Sequence, residues 1–332
     1  MKALILAPFS DDYLEALGQR VPLEYESWTT TRRLYDPRKL IERLNRDNIT
    51  ILVVEADFIF REVFEETKEL KFLGVCRSSL DHVDLEAATE YGVLVINTPE
   101  RNARSVAELT LTLVLSLARQ VPWLDRYVKD AHWQNPVEPY ICHKGIEIEG
   151  KTLGIIGLGS VGRIVSTLAQ TLGMKVLAYD PYVGHLGTEK SGATLSTLET
   201  VLAQSKFISL HAPSTPATLK LLGERQIGMM SQGSFLINTA SEDLVDEIAL
   251  VQSLESGHLA GAALDVHKSH PIVPSSPLLK LDNVILTPHV GGATKETIER
   301  HSTMMFQDID RFMRGQMPWH LTNPQVWNRD VS

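Results

Sequence analysis

Cysteine is nearly absent: Cys76 and Cys142 are the only two in 332 residues. Two thiols make neither a disulfide framework nor a CxxC metal pair. A reducing, cytoplasmic setting is the simplest expectation for them. No apolar run reaches the roughly 18 residues of a membrane span, so no membrane partner is expected. The opening Met1–Pro8 is too short for a signal peptide and reads as a buried strand. Short-period repeats, low-complexity tails and Cys/His fingers are missing too. Basic charge does not dominate, because 32 Lys and Arg face 41 Asp and Glu, for a net charge of -9. Without a basic-aromatic stripe, nucleic acid has no support as a partner.

What is present is ordinary globular composition, 43% hydrophobic and 22% charged, over a length that suits two cores. Apolar runs at 4–7, 51–54, 72–75 and 93–96 read as buried strands, with helices expected over 36–44 and 60–69. A second series of strands is expected at 153–156, 175–179, 207–210, 234–238, 261–266 and 283–286. The fold class is therefore α/β: two Rossmann-like domains with parallel sheets. Ser105 with Glu108 has the pattern of a capping box. It predicts a helix from there to Arg119, with Pro122 near its stop. Residues 294–314 read as a long terminal helix.

The clearest motif is Gly157-Leu158-Gly159-Ser160-Val161-Gly162, which follows an apolar strand and precedes a helix. Gly157 permits the turn, Gly159 permits close phosphate approach, and Gly162 permits helix-sheet packing. The helix start offers amides and positive potential to a pyrophosphate. Asp180 stands at the end of the next strand, where a carboxylate accepts ribose hydroxyls and repels a 2′-phosphate. The expected cofactor is NAD rather than NADP.

With Leu210-His211-Ala212-Pro213, Asn238-Thr239-Ala240, Ala262 to Val266 and Thr287 to Thr294 added, the chain resembles the D-isomer-specific 2-hydroxyacid dehydrogenase family over nearly its whole length. That resemblance implies a discontinuous substrate or lid domain, 1–100 with 295–332, and an NAD-binding and dimerisation domain, 101–294. It implies a homodimer and catalysis in a cleft. Ser160, Val161, Asp180, His211, Pro213 and Thr215 would line the dinucleotide. Thr239, Ala240, Asp265 and Gly291 would lie near the nicotinamide half, with Asp265 a partner for its carboxamide. His289 would exchange the substrate's hydroxyl proton.

The departures from the family are as informative. Ser241, followed by Glu242 and Asp243, takes the position of the arginine that binds the substrate acid. Serine cannot reproduce a bidentate cation. Glu242 and Asp243 read equally as caps for a helix starting near Leu244. His270 takes the place of the glutamate that holds the catalytic histidine, and two imidazolium charges repel. Lys268 stands nearby to restore charge. Arg77, Ser78 and Ser79 replace a glycine-rich loop. His82 replaces an asparagine, and Glu100 replaces a glycine before Arg101 and Arg104. Arg77, Arg101 and Arg104 are the candidates for a relocated anion site, and Trp133 for a residue capping the cleft or crossing a dimer. His267, His270 and His289 lack an acidic third ligand, so no metal is expected.

The expected function is an NAD-dependent oxidoreductase acting on a small molecule, an altered hydroxy acid, sugar acid or other hydroxylated compound. The alternatives are an NAD-binding, catalytically inactive regulatory or interaction protein, and a lyase using bound NAD.

Overall fold

The computed structural model of the chain describes residues 1–184 and 191–327. They divide into two compact units, Met1–Arg101 joined by the chain from Thr294 onward, and Asn102–Ala293.

Among the described residues, the first unit contains strands β1 (Ala3–Ile5), β2 (Leu23–Tyr25), β3 (Ile51–Val54), β4 (Phe72–Val75) and β5 (Leu94–Asn97). All pair in parallel, in the order β2-β1-β3-β4-β5. Successive side chains alternate between two cores. Ala3, Ile5, Ile51, Val53 and Phe72 face one, with Met305 and Ile309. Leu4, Leu52, Val54 and Leu73 face the other, with Leu40, Leu44 and Phe64. Burial on both faces is why these strands read as unbroken apolar runs.

Met305 and Ile309 belong to the helix Lys295–Met313, which starts where the Thr294 hydroxyl accepts the Thr297 amide. Polar contacts fix this helix to the chain's first residues. The Ser302 hydroxyl accepts the Ser10 amide at 3.0 Å. His301 is fully buried, and its Nε2 lies 2.7 Å from the Pro8 carbonyl. A carbonyl only accepts, so Nε2 carries the proton. Nδ1 then accepts from Arg101 Nη1, 2.7 Å away.

In the second unit the described strands are β6 (Thr152–Ile156), β7 (Lys175–Tyr179), β8 (Thr194–Leu195), β9 (Phe207–Leu210), β10 (Ser234–Asn238), β11 (Leu259–Leu264) and β12 (Val284–Leu286). They form one parallel sheet, β8-β7-β6-β9-β10-β11-β12. Chain order reverses between β6 and β9, the doubly wound Rossmann arrangement. Ligands bind such sheets at the carboxyl ends of the strands beside the reversal.

The structure corrects two sequence expectations about the helix before this sheet. It spans Ala103–Arg119, with Asn102 at its start. Ser105 therefore lies inside the helix, buried, and its hydroxyl donates to the Gly291 carbonyl instead of capping. Pro122 stops nothing. The helix ends at Gln120 in a left-handed conformation, φ 57, and Pro122 falls in the first turn of the next helix, Val121–Lys129. Proline is tolerated there because first-turn amides have no partner within the helix. Strands β2 and β8 went unread, because three and two residues at sheet edges carry no periodicity.

Burial, and then the neighbouring Arg101 cation, push His301 down to about 4 from its ordinary 6.5. A histidine depressed in the fold stabilises it fully above 6.5, and that stability drains as pH falls toward 4, because the unfolded chain binds the proton first. The loss is on the order of 3 kcal/mol. Denaturant titrations from pH 7 to 4 should show a shallower loss of stability for His301→Gln than for the parent. Parallel curves would remove His301 as a source of acid sensitivity.

Candidate functional site

The glycine motif closes the end of β6. Gly157 adopts φ 96, and a Cβ there would fall 2.6 Å from the Ala212 nitrogen. A Cβ on Gly162 would sit 2.2 Å from the Gly157 carbonyl. Both positions need glycine for the fold alone. Gly159 differs: nothing lies within 4 Å of where its Cβ would be. It opens the helix Ser160–Thr171 without a side-chain cap, so the first amides are left for an anion. Val161 packs inward against the core.

Asp180, at the end of β7, accepts the Leu158 amide on Oδ2 at 2.8 Å and the Tyr182 amide on Oδ1 at 2.9 Å. Its carboxylate is thereby oriented with lone pairs to spare. It borders an open groove of about 560 Å³ with Tyr179, Leu195, Ser196, Thr197, Leu198 and Glu199. Room at Gly159 and an oriented carboxylate beside a groove fit NAD. At the end of β9, His211 bonds Ser209 through Nε2 at 2.9 Å. Protein packed around the ring pushes it down to about 3, so it stays neutral. Pro213 and Thr215 belong to an exposed loop closed by the Thr218 hydroxyl, which donates to the Pro213 carbonyl at 2.7 Å.

His289 follows β12. Its φ is 56, the left-handed region that non-glycine residues rarely adopt. The buried Asp265 carboxylate holds this turn, accepting Thr287 Oγ1 (2.6 Å) and the Val290 amide (2.9 Å) on Oδ1, and the Gly291 amide (2.8 Å) on Oδ2. The Thr287 carbonyl accepts the His289 amide at 3.0 Å and His267 Nε2 at 2.8 Å. His267 is thus a buried brace, its Nδ1 without a partner. The exposed rings of His270 and His289 meet through Nε2 and Nδ1, 3.0 Å apart. One nitrogen must offer a lone pair, so these two atoms share a single proton. Lys268 is exposed. Among the described residues, no group of three or more His, Cys, Asp or Glu is placed to hold a metal.

After β10 the Asn238 side chain clamps a turn, accepting the Ala240 amide at 3.1 Å and donating to the Ser241 carbonyl at 2.8 Å. The Ser241 hydroxyl caps a single 3-10 turn, Glu242–Leu244, by accepting the Asp243 amide at 3.3 Å. Asp243 accepts the Ser214 hydroxyl. The α-helix expected near Leu244 starts later, at Glu247, capped by Asp246. Thr239 bonds Thr110 at 2.9 Å. Thr110 already donates to the Val106 carbonyl, so Thr239 is the donor. Thr110 was not singled out from sequence, and Asn238 was quoted only as part of a motif, without this role. A buried hydroxyl on an apolar helix and an asparagine at a strand end were the available signals.

In the first unit, Arg101 is only 10% exposed and is fully engaged by Glu55 and His301. Arg77 is exposed and makes no ion pair among the described residues. Burial and Arg77 together push the buried His82 down. Ser78 Oγ accepts the Glu100 amide at 3.2 Å, and Ser79 bonds Asp81. Glu100 holds φ 59, which accounts for the glycine expected there. In the second unit Arg104 pairs with Glu108 along a helix surface, at 2.6 Å, and Trp133 is 56% exposed.

Residues 111–291 match the family described as D-isomer specific 2-hydroxyacid dehydrogenase, NAD binding domain. The chain belongs to that family. Its cofactor is NAD, the ligand of the matched domain. Among curated relatives, the chain is 35% identical over 324 residues to D-3-phosphoglycerate dehydrogenase of Methanocaldococcus jannaschii, covering 97% of this chain and 59% of the relative. It is 36% identical over 287 residues to glyoxylate reductase of Korarchaeum cryptofilum, covering 86% of each. The TT0316 protein of Thermus thermophilus superposes with TM-score 0.86 at 33% identity, over 97% of this chain and all of that one. The chain spans about three fifths of the length of the phosphoglycerate dehydrogenases it matches first.

Gly159→Ala should leave the thermal midpoint nearly unchanged and weaken NAD at least about tenfold, a cost of ~1.4 kcal/mol. Gly162→Ala should instead destabilise the fold by ~1–3 kcal/mol through overpacking. Thermal unfolding and NAD titration of both variants check this. Unaltered NAD affinity in Gly159→Ala would refute the phosphate site.

Proposed function

We propose that this family member is an NAD-dependent oxidoreductase whose substrate is an altered hydroxy acid, a sugar acid or another hydroxylated compound, with His289 as the proton-transfer residue. The observation that carries this reading is the His289 turn, which is strained, fixed by Asp265 and engaged at Nδ1 by His270. Bound NAD supplies the hydride acceptor or donor. His289 takes the hydroxyl proton during oxidation and returns it in the reverse direction. His270 is a positioning residue that fixes the ring through the shared proton. Asp265 is occupied by the turn. Its role is to hold His289, more than to reach a carboxamide.

Ser241 supports the altered substrate. At the position of an acid-binding arginine, its hydroxyl is occupied by a cap, and carboxylates follow it. Of the three candidate arginines, Arg101 and Arg104 have partners within their own units, so Arg77 is the cation we assign to substrate. The same serine favours a second reading, an NAD-binding chain that does no chemistry.

We also propose a homodimer. The segment from Val121 to Ile141 exposes Val121, Val128, Trp133, Val137, Tyr140 and Ile141, a run of apolar surface that a second copy would cover. Light scattering should give about 74 kDa, twice the 37.0 kDa chain. Trp133→Glu with Ile141→Glu should move the protein toward monomer, and a monomeric parent would reject the assignment.

Pyruvate and glyoxylate should be poor substrates. A lost charge-assisted bond is worth ~1.5–3 kcal/mol, or roughly 10–100-fold in rate. Steady-state NADH oxidation over a carbonyl panel should therefore find faster turnover on polyhydroxylated compounds. His289→Gln should cost at least about 100-fold in that turnover while NAD affinity holds. Turnover of pyruvate near ~10 s⁻¹ would contradict the altered substrate. Tight NAD binding with no turnover on any carbonyl would select the silent reading.

A further inference from the structure

The first unit has an open groove of about 430 Å³ that the proposed chemistry does not use. It is lined by Trp28, Thr29, Arg32, Arg33, Leu34 and Ala56. The one-turn helix Trp28–Thr31 stands at the carboxyl end of β1, where the Trp28 amide donates to the Leu6 carbonyl at 3.0 Å. The Trp28 indole is locked, since its Nε1 donates to Glu55 Oε2 at 3.2 Å. Glu55 in turn accepts Arg101, and Arg101 reaches His301. One wall of the groove is therefore rigid and aromatic.

The other wall is formed by Arg32, Arg33 and Leu34, all exposed. Arg32 ends the helix at φ 55, donating its amide to the Trp28 carbonyl. Backbone geometry there favours glycine or asparagine, so the fold gives no reason for a guanidinium. Arg33 follows it. Neither side chain makes a hydrogen bond or ion pair among the described residues, in a chain whose net charge is -9. Guanidinium groups bind carboxylate and phosphate oxygens in pairs. An indole, Leu34 and Ala56 offer a flat apolar surface to the rest of the ligand. The volume is within the range of small-molecule sites.

We propose that this groove binds a small organic anion with a flat apolar body and one carboxylate or phosphate group, held by Arg32 and Arg33 against Trp28. The anion is either the far end of the substrate, a source that rests on the oxidoreductase reading, or a separate effector.

The test is calorimetric titration of the full chain with phenyl phosphate, with benzyl alcohol and inorganic phosphate as comparisons. Phenyl phosphate should bind more tightly than either. The Arg32→Gln/Arg33→Gln variant should weaken it at least about tenfold, with NAD affinity unchanged as the check on folding. Arg61→Gln, which removes a guanidinium paired to Glu90, should change nothing. Trp28→Phe should remove the fluorescence change on binding. Equal affinity in the double variant, or benzyl alcohol binding as tightly as phenyl phosphate, would overturn the site, as would no binding of phenyl phosphate at ~10 mM. These readouts need no turnover, so they stand or fall apart from the activity. Where turnover is measured, inhibition by phenyl phosphate competitive with the carbonyl compound assigns the site to substrate. Non-competitive inhibition assigns it to an effector. Either pattern supports the site.

Discussion

The Asp265 carboxylate is the constraint on which the His289 loop of the second unit depends. Three donors from one short loop converge on it, two amides and a hydroxyl. Each is a charge-assisted bond in a site 1% exposed to water. That concentration of bonding is what holds His289 at a positive φ, a conformation that survives only where its surroundings over-determine it. His267 and the buried Ser105 hydroxyl add bonds to the Thr287 and Gly291 carbonyls at either end of the loop. The backbone is fixed first, and the imidazole inherits its position.

The parallel sheets, most strands and the glycine turn were legible in sequence for one physical reason. Strands buried on both faces need continuous apolar runs, and a strand–GxGxxG–helix turn needs glycine at fixed spacing. Gly157 and Gly162 prove to be demanded by packing, whereas Gly159 stands in open space. Motif spacing assigns all three a role but cannot separate structure from ligand. Ser105 shows the opposite failure. A serine three residues before a glutamate fits a capping box, but a buried helix also uses serine to satisfy a carbonyl from elsewhere in the fold. Local pattern cannot tell the two apart, because the deciding partner, Gly291, lies 186 residues away.

The arginines teach a related lesson. Arg77, Arg101 and Arg104 are equivalent as letters, and all were candidates for binding an acid. The fold commits Arg101 to Glu55 and His301, where a nearly buried cation must be paired to be tolerated. It commits Arg104 to an i,i+4 surface pair worth a few tenths of a kcal/mol. Only the positions of the partners distinguish a structural cation from one available to a ligand.

The acidic residues singled out from sequence are held differently in the two units. In the second unit, Ser241 is followed by Glu242 and Asp243, and Asp243 accepts the Ser214 hydroxyl at 2.9 Å. In the first, Glu100 occupies a strained backbone position that glycine would fill without strain. Asp243 is thus tied to a loop hydroxyl, whereas Glu100 sits where backbone geometry alone would select glycine. At the cofactor end, Asp180 keeps both oxygens on backbone amides, and Gly159 keeps its open space. The dinucleotide end is thus the part of the chain where local geometry and family membership agree.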